Sequence, residues 1–110
     1  MEEFVKGDIV VIPFPFSNLT SLKRRPALVL VNLPGPDAIL CQITSKLRKD
    51  EYSISLNRSD FKIGELLVES CIRVDRIFTV EKSLVLYKVG SLQPAKMNIV
   101  LKSINTMFNS

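Results

Sequence analysis

The chain has 110 residues, enough for one compact domain with its own core. Hydrophobic residues make up 46% and charged residues 24%, the balance of a soluble globular protein, and no apolar run approaches the length of a membrane span. The net charge of +4 permits an anionic partner without requiring one, while the absence of histidine removes the commonest acid–base side chain and the commonest nitrogen metal ligand.

The opening Met1-Glu2-Glu3 is acidic and no apolar stretch follows, so no secretory leader is expected. Asp8 to Ile12 is rich in β-branched residues and predicts a strand. It ends at Pro13-Phe14-Pro15-Phe16, whose two prolines do not suit a central strand. Ser17 to Arg25 is polar and basic and reads as a surface loop. Pro26 fixes φ and lacks an N–H, which places it at the first residue or the edge of the apolar strand Ala27 to Val31, with Arg25 held at its mouth.

Pro34-Gly35-Pro36-Asp37 is turn chemistry, and Ala38 to Thr44 reads as the returning strand of a hairpin. Residues 46–51 form a charged loop. Tyr52 to Leu56 predicts a further strand, Leu66 to Val74 and Arg76 to Val80 two neighbouring ones, and Tyr87 to Val89 a short last one. Pro94 suits the first turn of a helix, and Met97, Val100, Leu101, Ile104, Met107 and Phe108 follow at helical spacing, as a core-packing face does. Five to seven short strands and one terminal helix predict a mainly β fold, a small curved barrel with the helix packed on it, over residues 1–110 as a single domain. Cys41 and Cys71 lie within apolar patterns and read as reduced core residues of a cytoplasmic protein.

Polar residues beside these apolar strands are the candidates for chemistry. Arg25, the pair Thr44-Ser45, and Arg73 with Asp75 would together make an anion site, because a guanidinium fork donates two parallel hydrogen bonds to a phosphate. Each has a plainer reading. Arg25 would be a solvated cation, Thr44 and Ser45 would cap a turn, and Arg73 and Asp75, two apart on a strand, would form a salt bridge. Lys46, Arg48 and Lys49 are a solvated loop or a patch that steers a polyanion.

The order of these pieces resembles the MazF/PemK-type toxins of bacterial type II toxin–antitoxin systems. The matching segments are Gly7-Asp8-Ile9-Val10, Arg25-Pro26-Ala27-Leu28-Val29, Gln42-Ile43-Thr44-Ser45 and Arg73-Val74-Asp75-Arg76-Ile77-Phe78-Thr79, closed by the amphipathic helix. The resemblance implies a small SH3-like barrel shared with the gyrase poison CcdB, assembled as a homodimer. It implies metal-independent, sequence-specific cleavage of single-stranded RNA by the RNA's own 2′-hydroxyl, leaving a 2′,3′-cyclic phosphate and a 5′-hydroxyl. No cofactor and no metal are implied. Arg25, Thr44, Arg73 and Asp75 then carry catalysis, with Asp75 as base or orienter and Arg73 as acid or phosphate clamp. Ser45, Lys23, Arg24, Lys46, Arg48, Lys49 and Arg76 contact RNA, and an antitoxin with a disordered acidic tail is the protein partner. The family's Asp-Gln-x-Arg-Thr-Ile-Asp stretch departs here, where Arg76 and Phe78 stand for the Gln and the Arg. The alternatives on the same barrel are a CcdB-like gyrase inhibitor and an RNA binder without catalysis.

Overall fold

Runs of β-branched residues too short for helices become strands, and the computed structural model, which describes residues 4–14 and 23–110, has seven of them among those residues. In chain order they are β1 (Asp8–Phe14), β2 (Lys23–Asn32), β3 (Asp37–Thr44), β4 (Ser53–Leu56), β5 (Phe61–Gly64), β6 (Ser70–Glu81) and β7 (Tyr87–Leu92), followed by the helix α1 (Pro94–Phe108). All pair antiparallel in one sheet of order β4-β6-β3-β2-β1-β7-β5, which curls into a half-barrel. The mainly β barrel with a C-terminal helix is therefore the observed architecture.

The sheet is apolar on both faces in its middle, which is why Ala27 to Leu30 are buried without alternation. Ile9, Leu28, Ile43 and Ile72 form the inner core and receive Met97 and Val100 of α1. Val10, Ile12, Ala27, Val29 and Leu40 make a second cluster on the opposite face. Pro94 opens the helix as expected, but Phe108, at the far end of the apolar stripe, is exposed.

The Gly7-Asp8 pair that opens β1 is structural. Gly7 takes φ +95° in a turn closed by the Asp8 N–H donating to the Val5 carbonyl at 3.0 Å. The buried Asp8 carboxylate accepts the Val5 N–H at 2.9 Å and meets Lys88 Nζ at 3.3 Å. The turn at residues 33–36 is held by Lys82 Nζ, which donates to the Leu33 and Gly35 carbonyls at 2.6 and 2.8 Å.

Several elements differ from the sequence expectation, and β7 runs on to Leu92. β1 continues through Pro13 because its pairing with β7 stops at Val11, so beyond that point β1 has only β2 beside it. β2 begins at Lys23, three residues before Pro26, and Pro26 is tolerated because pairing with β3 starts only at Ala27. Lys23, Arg24 and Arg25 thus lie in a strand and not in a loop; the rest of the expected loop (residues 17–22), like Pro15, Phe16 and the acidic Met1-Glu2-Glu3, lies outside the described residues. The two strands expected on either side of Asp75 are one strand, β6, whose register against β3 jumps from Arg73 opposite Gln42 to Ile77 opposite Cys41. Residues 74–76 form a bulge there, and Leu66 to Glu69 precede the strand as a loop. β5 was not foreseen, since of Phe61, Lys62, Ile63 and Gly64 only Phe61 is buried.

Candidate functional site

Directly paired residues of antiparallel strands face the same side, and so do residues two apart. Gln42, Arg73 and Ser53 therefore make one row across β3, β6 and β4, and Thr44, Cys71 and Ser55 make the next row on the same outer face. Ala27 pairs with Gln42, so Arg25, two residues earlier, also belongs to this face. Continuing the register past the last pair brings Arg25 level with Thr44. The apolar outer face thus becomes polar at one end, and the loop of residues 45–52 runs beside it.

Arg73 is the buried centre of this polar end. Its Nη1 donates to both oxygens of Asp50, at 3.0 and 2.9 Å, and to Ser53 Oγ at 2.6 Å. Its Nη2 donates to Asp75 Oδ2 at 3.1 Å. The side chain is only 6% exposed, so its charge is compensated inside the protein by two carboxylates. The Arg73 hydrogen bond is the main reason the Asp50 carboxyl is held below its ordinary value of 3.8. The same bond raises Arg73 further. The salt bridge expected between Arg73 and Asp75, two apart on β6, is present.

Asp50 and Ser53 were not anticipated. Asp50 looked like one more charge in a solvated run, and only the β4–β6 register shows it lying against Arg73. One local sign was available. Asp50 Oδ1 also accepts the Tyr52 N–H at 2.9 Å, an Asx turn of the kind that starts strands.

Arg25 is the opposite case. It is half-buried, as the third residue of β2, and among the described residues its side chain makes no hydrogen bond and no ion pair. It lines a cleft of about 230 Å³ with Arg24, Pro26, Ser45, Leu67 and Ser70. Thr44 Oγ1 accepts the Lys46 N–H at 3.1 Å, so it does cap the turn after β3 while its O–H stays available as a donor. A second cleft of about 480 Å³, lined by Arg48, Lys49, Asp50, Ser55 and Cys71, adjoins the first through Ser70. Lys23, Arg24, Ser45, Lys46, Arg48, Lys49 and Arg76 are all exposed. A guanidinium without a counter-charge among the described residues, a nearby hydroxyl and a rim of exposed cations suit a phosphate-bearing ligand.

The two thiols differ in position. Cys41 pairs with Leu28 and joins the inner core, whereas Cys71 lies on the outer face, and both are free. Burial pushes the Cys41 thiol up to about 12. Among the described residues no group of three or more Cys, Asp or Glu is placed to hold a metal ion, and no helix is long and apolar enough to cross a membrane.

A family model described as PemK-like, MazF-like toxin of type II toxin–antitoxin systems matches residues 5–108. No curated protein matches the sequence significantly. Among solved structures, MazE–MazF from Deinococcus radiodurans superposes with a TM-score of 0.80 at 18% identity, over 99% of this chain and 98% of that one. An endoribonuclease in complex with its cognate antitoxin, from a mycobacterial species, gives 0.77 at 18% identity over 97% and 96%. The Mycobacterium tuberculosis toxin MazF-mt6 gives 0.71 at 18% identity over 93% and 96%. At these identities the structures establish a shared fold.

Proposed function

The chain belongs to the family of PemK-like, MazF-like toxins of type II toxin–antitoxin systems, and from that premise we propose that it is an endoribonuclease that cuts single-stranded RNA at particular sequences. The observation that carries this reading is the contrast between two arginines. Arg73 is buried against two carboxylates, whereas Arg25 is half-buried with no counter-charge among the described residues.

In the reaction we assign, the RNA 2′-oxygen attacks the adjacent phosphorus and the bond to the 5′-oxygen breaks. Negative charge builds on the non-bridging oxygens. Arg25 donates to them, and the Thr44 O–H supplies a second donor; such fixed donors act most strongly where charge develops. Asp75 takes the proton of the 2′-hydroxyl, and the departing 5′-oxygen takes a proton from solvent water, to which Asp75 later returns its own, leaving a 5′-hydroxyl and a 2′,3′-cyclic phosphate. Arg73 enters as the group that orients Asp75 through its 3.1 Å bond, since its Nη1 and Nη2 are already engaged by Asp50, Ser53 and Asp75. The arginines supply the positive charge, so the scheme requires no metal.

We further propose that residues 1–110 act as one toxin domain in the cytoplasm, as a homodimer, and that a cognate antitoxin with an acidic disordered tail neutralises it. Relatives of the same fold have been solved as toxin–antitoxin complexes. The test is incubation of chelator-treated protein with single-stranded RNA, followed by mapping of the ends. The expected result is a small set of cuts bearing cyclic phosphates. Arg25→Ala should lower the rate by about 10²- to 10³-fold with unchanged circular dichroism. RNA left whole by the metal-free wild type overturns the proposal.

A further inference from the structure

The basic loop between β3 and β4 is tethered at both ends. At its start the Lys46 N–H is held by Thr44 Oγ1 at 3.1 Å. At its end Asp50 accepts two of the three Nη1 bonds of Arg73 and the Tyr52 N–H, while the Tyr52 carbonyl accepts the Val74 N–H at 3.0 Å. Between these anchors lie the exposed Arg48 and Lys49, with Lys46 just before them. A buried arginine is a costly way to fix a loop unless the loop has a task, because desolvating the guanidinium opposes the pairing.

We propose that the Asp50–Arg73 pair is a clasp, a positioning device that holds Lys46, Arg48 and Lys49 in place to receive the backbone of the RNA. The inference rests on the endoribonuclease reading and deepens it. With the clasp closed, the loop is ordered before RNA arrives. With it open, binding must order the loop, and affinity falls accordingly. Asp50 acts through the loop and touches no reacting atom.

The experiment measures three things on wild type, Asp50→Ala, Asp50→Asn and Asp50→Glu: affinity for a 2′-deoxy-substituted oligonucleotide that cannot be cut, KM and kcat on the cleavable one, and amide hydrogen exchange at residues 46–51. Asp50→Asn keeps an acceptor for Tyr52 and covers the case in which Asp50→Ala fails to fold. The clasp predicts that the charge-removing variants bind about tenfold more weakly. It also predicts that KM rises far more than kcat falls, and that exchange quickens in the loop alone; Asp50→Glu should recover most of the loss. In a Lys46→Ala/Arg48→Ala/Lys49→Ala background, Asp50→Asn should have little further effect on affinity. Unchanged affinity with unchanged loop exchange overturns the clasp. So does tighter binding, which would make Asp50 a carboxylate masking Arg73 from phosphate. Wild type that binds the oligonucleotide but cuts no RNA overturns only the nuclease reading, whereas wild type that binds none overturns both.

Discussion

Arg25 and Arg73 carry the same group and do opposite things because of what surrounds them. A guanidinium ringed by Asp50, Ser53 and Asp75 has its hydrogen bonds spent within the protein, whereas Arg25 makes none with its side chain among the described residues. Thr44 divides its hydroxyl between both roles, accepting from Lys46 and keeping its proton. Thr44→Val should therefore cut the cleavage rate about 10²-fold, and Thr44→Ser should stay within about tenfold of wild type, in a single-turnover assay. Equal rates for Val and Thr would remove the hydroxyl from the mechanism. Arg25 and Thr44 were legible in the sequence because each borders a recognisable apolar strand. Asp50 was not, because its partner lies 23 residues away and only the strand register brings them together.

Among elements, the bulge in β6 decides most. It contains Asp75, the partner of Arg73, and it made one strand look like two, since period-two alternation breaks wherever extra residues enter. Pro13 misled in a related way, whereas Pro26 stands at a local edge, one of the two places expected for it. Pro13 and Pro26 both stand inside strands, at points where the neighbour on one side is missing, and edge status of that kind depends on pairing that no local pattern reveals. The helix, with its long regular stripe, was read from Pro94 onward without difficulty. β5 was hidden because its pairing with β7 relies on close backbone approach and little on side chains. Gly64 sits at φ +77°, and a Cβ there would overlap the Val89 carbonyl oxygen. Gly64→Ala should then lower stability by about 2–4 kcal/mol, through both strain and backbone displacement. Gly7→Ala, at φ +95° but facing open space, should cost only about 1 kcal/mol. Urea midpoints distinguish the two, and equal losses would mean that φ alone matters at Gly64.

For the whole molecule, the absence of histidine shapes the response to pH. No imidazole titrates between pH 5 and 8, so stability should be flat through neutrality. The acid limb is where the Asp50–Arg73 pair enters. Asp50 in the folded protein titrates below 3.8, its ordinary value, chiefly because Arg73 donates to it. Between the folded and unfolded values the folded state therefore binds fewer protons, and stability rises with pH across that window. The contribution is complete above pH 3.8 and disappears as pH falls through the lower, native value. Because the buried Arg73 stays charged throughout, protonating Asp50 leaves it with Asp75 as its one remaining carboxylate partner. The urea midpoint of the wild type should drop in this acid range, and that of Asp50→Asn should start lower and fall less. Parallel acid limbs for the two proteins would mean that other carboxylates govern acid unfolding, and that the pair at the polar end of the sheet holds the loop without holding the fold.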